Sequence, residues 1–245
     1  MDAIRLVLSW LTVLPVRGPD RVDRGSAGRA IALAPVAGIL LGAIATGLLW
    51  SAVGAGTTPA VAGLVTVGAS ALLTRGMHLD GLADTLDGLG SYGPPERARE
   101  IMKSGGAGPF GVAALIFAVT IQAFAFAALA GEHRWLAVGL AVVVGRVAVV
   151  WSCRRGIEPA PGAGFGALVA GTQSPVAGVV WTVLALAAAL LVTWWAPVAV
   201  LVALAVAEVL TRHCVRRFGG LNGDVLGAVL EVTVTVSAVV WTLDG

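Results

Sequence analysis

The sequence predicts an all-α fold, a polytopic helical membrane protein of about seven transmembrane helices with an interfacial helix at its N-terminus. Three observations carry this. Hydrophobic residues make up 58% of the 245 and charged residues only 12%, about half of the roughly 25% found in an ordinary water-facing domain. Apolar runs long enough to cross a bilayer recur along the chain, parted by short polar breaks. The basic residues gather in alternate breaks, as membrane orientation demands. This composition excludes a nucleic-acid binder, a disulfide scaffold and a disordered chain. The two cysteines, Cys153 and Cys214, read as free thiols.

Taken in order, Met1 to Val16 is apolar but short, carries Asp2 and Arg5, and stops at Pro15, which makes it an interfacial or re-entrant helix. A cleaved signal peptide would need a small-residue cleavage site, and a charged stretch follows instead. Residues 1–27 therefore read as interfacial helix and cytoplasmic arm. Spans are expected at roughly 28–53, 58–74, 109–130, 135–151, 175–194, 197–212 and 225–243. With the arm before Arg29 in the cytoplasm, alternation puts Arg75, Arg97, Arg99, Lys103, Arg154, Arg155, Arg212, Arg216 and Arg217 on that side and Arg134 on the other. Gly38, Gly42 and Gly47 suit close helix packing, and Trp50, Trp151, Trp181, Trp194, Trp195 and Trp241 lie near span ends, where amphipathic rings prefer the interface. No internal repeat divides the chain, so 1–245 reads as one integral membrane domain with 75–108 as a cytoplasmic acidic-motif segment.

The most informative stretch is 75–91, Arg-Gly-Met-His-Leu-Asp-Gly-Leu-Ala-Asp-Thr-Leu-Asp-Gly-Leu-Gly-Ser. Asp80, Asp84 and Asp87 follow i, i+4, i+7, so a helix sets three carboxylates on one stripe with Leu79, Leu82, Leu86 and Leu89 opposite. Three anions at that spacing repel one another, and a divalent cation among them relieves the repulsion. Oxygen-only ligands favour Mg²⁺, Mn²⁺ or Ca²⁺ over Zn²⁺, and Mg²⁺ completes its shell with water and phosphate oxygens. The stripe thus points to phosphate chemistry at the cytoplasmic end of the second span. The bland alternative is a solvated acidic face, against which stand the flanking Gly81, Gly88 and Gly90 and the expense of polar groups at membrane depth. His78 falls roughly 160° from the stripe on a continued helix. It reads as a catalytic group, a contact beside the site or a structural hydrogen bonder.

After a break at Ser91, Pro94, Pro95 and Glu96 mark a helix start. That short helix carries Arg97, Arg99 and Lys103, the only lysine. The Gly-rich turn from Ser104 to Gly111 either holds phosphate through backbone N–H groups or is a plain loop. A second polar constellation runs from Arg212 to Asp224 and on to Glu231. Arg216 and Arg217 beside Gly219 and Gly220 suit a diphosphate, or anchor the orientation. Glu231 shares a helix face with Asp224 and lies roughly 10 Å into the last apolar run. An unpaired carboxylate is expensive there, so it should meet Arg146, embedded in the fourth span, or line a polar cavity. Arg216, Arg217, Asn222 and Asp224 are expected across one cytoplasm-facing cavity from the acidic stripe, with Arg146 and Glu231 as its floor.

These residues resemble the cobalamin-5'-phosphate synthase, or adenosylcobinamide-GDP ribazoletransferase, family over nearly the whole chain. The resemblance rests on Leu11-Thr-Val-Leu-Pro15-Val16, on Pro35-Val-Ala-Gly38-Ile-Leu-Leu-Gly42 and on His78-Leu-Asp80-Gly81-Leu-Ala83-Asp84-Thr-Leu-Asp87-Gly88. Further matches are Glu100-Ile-Met-Lys103, Gly108-Pro-Phe-Gly111 and Gly219-Gly220-Leu-Asn222-Gly223-Asp224-Val-Leu-Gly227-Ala, with Glu231. It implies a Mg²⁺-dependent enzyme of the bacterial inner membrane with its active site facing the cytoplasm. The implied reaction joins adenosylcobinamide-GDP to α-ribazole, or α-ribazole 5'-phosphate, and releases GMP. Asp80, Asp84 and Asp87 would hold the metal and serve catalysis with His78. Lys103, Arg146, Arg216, Arg217, Asn222, Asp224 and Glu231 would bind substrate. The lipid bilayer is the one macroscopic partner implied, nucleic acid is not, and a homo-oligomer is compatible with the reading. Relatives usually carry an Asp between Lys103 and Gly108 and a Thr where Asn222 stands; this chain has neither. A CDP-alcohol phosphotransferase shares Asp84-Thr-Leu-Asp87-Gly88 but continues with an Ala-Arg pair and a later G-x3-D-x3-D, both absent here. A cation-coupled transporter would spread its acids through the membrane depth, whereas these cluster at one edge.

Overall fold

The structure, a computed structural model, describes residues 2–243. Met1, Asp244 and Gly245, the ends of the single domain expected over 1–245, lie outside the described residues. Helix α1 (Asp2–Leu11) buries Leu6 and Val7 against α2 (Arg24–Ala32) and α3 (Ala34–Gly54), as an interfacial helix with one apolar face should. A capping box opens α2: Asp23 Oδ1 accepts from Ser26 N at 2.7 Å, and Ser26 Oγ accepts from Asp23 N at 2.9 Å. Such a cap contributes about 1 kcal/mol. Pro35 has no N–H to offer and sits in the first turn of α3, where that lack is harmless. The run expected as one span over 28–53 is therefore two helices, parted at Leu33.

The chain continues through α4 (Pro59–Leu73), α5 (Met77–Gly90), α6 (Pro95–Met102), α7 (Pro109–Gly131) and α8 (Trp135–Ser152). It ends with α9 (Phe165–Val169), α10 (Pro175–Ala189), α11 (Pro197–Phe218) and α12 (Gly223–Trp241). Among the described residues, α3, α7, α8, α11 and α12 are each long and apolar enough to cross a membrane, and α4 with α5 would make a sixth span bent by 93°. α10, at 15 residues, is shorter than the span expected over 175–194. The protein is an integral membrane protein built entirely of helices among its described residues. α8 is the central helix, packed by α3, α10, α11 and α12 and buried along most of its length.

Hydrogen bonds sort the connections into two ends. At one, Arg24 donates to the carbonyls of Ala167 and Ala170, and Gln173 Nε2 donates to Gly28 O at 2.8 Å. Leu221 N there donates to Glu158 O at 2.9 Å, and Arg99 Nη1 to Phe218 O at 2.8 Å. At the other, Trp241 Nε1 donates to Ala196 O at 3.0 Å and Arg134 Nη1 to Trp241 O at 2.9 Å. The connections that these bonds tie thus fall at opposite ends of the bundle. Small residues bring the helices together: a methyl on Gly42 would sit 2.5 Å from the Gly139 carbonyl oxygen, and one on Gly63 2.2 Å from that of Ala123. Gly47 faces open space and has no such role.

Candidate active site

Arg75 and Gly76 both adopt left-handed backbone, φ 57° and 69°, which ends α4 and turns the chain into α5. Glycine does so without steric penalty, and Arg75 is tethered by its guanidinium, which donates to Ser9 O at 3.1 Å and Trp10 O at 2.8 Å. The acidic stripe is therefore not the tail of the second span. It is a separate helix lying across the end of the bundle, where α7 and α12 begin.

Two glycines press α5 onto α12. A methyl on Gly81 would fall 2.7 Å from the Asp224 carbonyl oxygen, and one on Gly227 3.0 Å from that of His78. This approach sets Asp224 beside the stripe. Asp80 is exposed and Asp84 half-buried. Burial first, then the charges of Asp80, Asp224 and Asp87, push the Asp84 carboxyl up to about 6 from its usual 3.8. The ion pairs of the described residues lie elsewhere, so none of these acids has a salt-bridge partner.

Asp87 departs from the expectation of three converging ligands. It is buried, and its oxygens accept from Gly108 N at 2.6 Å and Gly111 N at 2.9 Å. It satisfies N–H groups at the start of α7 that would otherwise lack partners. The Gly-rich turn after Lys103 thereby binds a carboxylate of its own chain. Among the described residues, no three His, Cys, Asp or Glu side chains converge to hold a metal ion. The donor set nonetheless suits a hard cation, since Mg²⁺ ordinarily takes one or two carboxylates and fills its shell with water and phosphate oxygens. Asp80 and Asp84 are the pair free to serve.

A cavity of about 310 Å³ opens beside these acids, lined by Trp10, His78, Asp80, Arg146, Phe165 and Asp224 among others. His78 is buried against α12 with its Nδ1 unpartnered. Arg146, also buried, donates from Nη1 to Val142 O at 3.0 Å, and its Nε has no partner. Gly38 clears its path, since a methyl there would meet Arg146 Cδ at 3.1 Å. Glu231 lies one layer deeper. Its Oε2 accepts from Gln122 Nε2 at 2.8 Å, and Arg146 stands across an inner cavity of about 30 Å³ that His78 and Gln122 also line. That is room for a water molecule. Glu231 therefore lines a polar cavity and bonds Gln122, making no ion pair with Arg146.

The C-terminal constellation is only partly at this cavity. Asn222 caps α12, its Oδ1 accepting from Val225 N at 2.9 Å and its Nδ2 donating to Asp224 Oδ2 at 3.3 Å. Arg217 Nη2 donates to Ser91 O at 3.0 Å and ties α11 to the end of α5. Arg216 is exposed and lines neither cavity. Both arginines belong to α11, which runs six residues past its expected end at 212 to Phe218. They sit in its last turn, where cations complement the helix dipole, and not across the cavity from the stripe. Lys103 Nζ donates to Gly162 O at 3.2 Å and lies near enough to Asp224 to act on its charge.

Three residues here stand outside the sequence motifs. Gln122 is a lone amide in an apolar helix, buried and bonded to Glu231. Trp10 and Phe165 meet edge to face at 4.9 Å on the cavity wall, and nothing in their local sequence announces it.

Fold and site define a polytopic helical membrane protein with an acidic cluster, suited to phosphate chemistry on a hard cation, at one end of its bundle. The chain belongs to the cobalamin-5-phosphate synthase family, whose model matches residues 3–242. The adenosylcobinamide-GDP ribazoletransferase of Corynebacterium efficiens is 38% identical, over 97% of this chain and 90% of that protein. Its namesake in Nocardioides sp. is 39% identical over 98% of both chains, and that of Frankia casuarinae is 37% identical over 98% and 94%. No solved structure matches the chain.

Proposed function

We propose that this protein transfers the adenosylcobinamide phosphate group from adenosylcobinamide-GDP to α-ribazole or its 5'-phosphate, giving adenosylcobalamin or its 5'-phosphate and GMP. One observation carries the reading: Asp80 and Asp224 meet at a cavity lined by Arg146, with Asp84 close enough to both for their charges to act on it, in a chain whose family and relatives are named for that reaction. A ribazole hydroxyl oxygen attacks the phosphorus nearer the cobinamide. The new O–P bond forms as the bond from that phosphorus to the bridging oxygen breaks, and GMP departs with the electron pair. Asp80, Asp224 and His78 at the cavity, and Asp84 beside it, are the groups able to accept the hydroxyl proton. Arg146 and Lys103 supply cationic donors for diphosphate oxygens. Trp10 and Phe165 offer aromatic surface to the heterocycle of either substrate. Mg²⁺ bound at Asp80 and Asp84 would supply neutralisation of the diphosphate charge as GMP leaves. Asp87, Asn222 and Arg217 hold the starts of α7 and α12 and the end of α11, and so position the groups that act.

The arginine asymmetry supports a cytoplasm-facing site in the bacterial inner membrane, where both water-soluble substrates are at hand. Purified protein incubated with adenosylcobinamide-GDP, α-ribazole and Mg²⁺ tests the reaction. Mass spectrometry should find adenosylcobalamin and GMP in equal amounts, and neither when α-ribazole is omitted. Hydrolysis of the diphosphate without a cobalamin product would refute the acceptor assignment.

A further inference from the structure

Between α8, α10 and α11, at the same end of the bundle as the acidic site, lies a separate cavity of about 410 Å³. None of the residues assigned above lines it. Its polar wall is Arg154, Glu208 and Arg212. Arg154 Nη2 donates to Glu208 Oε1 at 2.7 Å, and Arg212 Nε donates to that same oxygen. One carboxylate thus serves two guanidinium groups, which leaves the cluster with an excess positive charge. Arg154 Nη1 is used by Trp151 O at 3.0 Å, whereas Arg212 lines the cavity with a side chain 67% exposed and spends only its Nε on Glu208. Trp151, whose indole donates to Thr182 Oγ1 at 3.0 Å, marks the interfacial level that such rings prefer. Beyond it, α10 and α11 expose Val179, Val183, Leu201 and Val209.

We propose that this cavity binds the phosphate of an anionic phospholipid headgroup, with the acyl chains lying along the α10 and α11 flank. A forked guanidinium pairs with phosphate oxygens, and basic pockets between membrane helices on the positive side recognise anionic headgroups. The site is also joined through the chain to the segment that carries Phe165 of the acidic cavity. Arg154 bridges to Gln173 and Pro159 to Leu221, so the segment that carries Phe165 is pinned at Arg154 and again beside Asn222. The proposal stands independently of the reaction proposed above, and its test needs no substrate.

Purified full-length protein in neutral detergent is mixed with phosphatidylglycerol, phosphatidylcholine or inorganic phosphate. Native mass spectrometry counts bound lipid, and thermal unfolding gives Tm. Phosphatidylglycerol should bind at least about fivefold more tightly than phosphatidylcholine and raise Tm, with inorganic phosphate leaving Tm unchanged. Arg212→Gln leaves the Arg154–Glu208 pair in place and should lower phosphatidylglycerol affinity about fivefold, the effect of one arginine near an anionic surface. Glu208→Gln removes the competing carboxylate and should raise it; if that variant does not fold, Arg212→Gln decides alone. Equal binding of the two lipids, a preference untouched by Arg212→Gln, or a Tm shift from phosphate equal to that from phosphatidylglycerol would overturn the proposal.

Discussion

Gly81→Ala is the substitution that tests most sharply how the acidic site is assembled. The added methyl would lie 2.7 Å from the carbonyl oxygen and 2.9 Å from the Cα of Asp224, against ordinary contacts that begin at 3.4 Å. Both are backbone atoms at the start of α12 and cannot rotate away. α5 must therefore retreat by about 0.7 Å, the difference between 3.4 and 2.7. Overpacking of this kind costs about 1–3 kcal/mol. The catalytic loss should be larger in proportion. A misplacement of about 1 Å costs roughly a hundredfold in rate, so a shift of this size between Asp80 and Asp84 on one helix and Asp224 on the other should lower turnover roughly ten- to a hundredfold. GMP release measures the rate, and thermal unfolding of the same sample reports the packing. Gly68→Ala is the control, because a methyl there meets nothing within 4 Å and should leave both unchanged. Full turnover with an unshifted Tm in Gly81→Ala would show that the α5–α12 contact does not position the site.

The two acids at i and i+3 should separate cleanly. Asp84→Asn should abolish GMP release and leave Tm within a degree or two, while Asp87→Ala, which strips both acceptors from Gly108 and Gly111, should lose roughly 2–4 kcal/mol of stability, at about 1.5–3 per charge-assisted bond with partial compensation. Reversed phenotypes would reverse the roles. Gln122→Leu leaves the Glu231 carboxylate without its donor and should destabilise by roughly 1–3 kcal/mol, while Gln122→Glu should be worse because it sets two acids together. A cysteine placed at Ser91 should resist an impermeant thiol reagent in intact cells and react once the membrane is opened. Cys153 and Cys214 are both fully buried and contribute little background. Labelling of intact cells would invert the orientation.

The spans were legible because apolar runs and arginine placement are properties of contiguous sequence. The bend was harder. Thr74, Arg75 and Gly76 form a short polar interruption of the kind that often ends a helix, yet the period of Asp80, Asp84 and Asp87 reads the same whether their helix continues α4 or crosses the bundle end. The stripe itself was sound as a set of neighbours. Periodicity says which residues share a face, but not which partner each one meets, and Asp87 meets the start of α7 while Asp80 is exposed and Asp84 half-buried. Arg216 and Arg217 lie beyond the span expected to end at 212, beside a Gly-Gly turn that suits a diphosphate. The helix simply extends to Gly219, which caps it with φ 75°, as glycine commonly does. Gln122, Trp10 and Phe165 come from three separate segments, so only the packed fold could gather them.

In the proposed reaction Asp80 and Asp84, with Asp224 beside them, would hold the divalent cation. Mn²⁺ binding followed by electron paramagnetic resonance, on wild-type protein and on Asp80→Asn/Asp84→Asn, tests it directly. With adenosylcobinamide-GDP present, wild type should take up one ion per chain, displaceable by Mg²⁺, and the double variant should take up none while keeping its Tm. Equal uptake by both proteins would contradict the account and move the metal elsewhere.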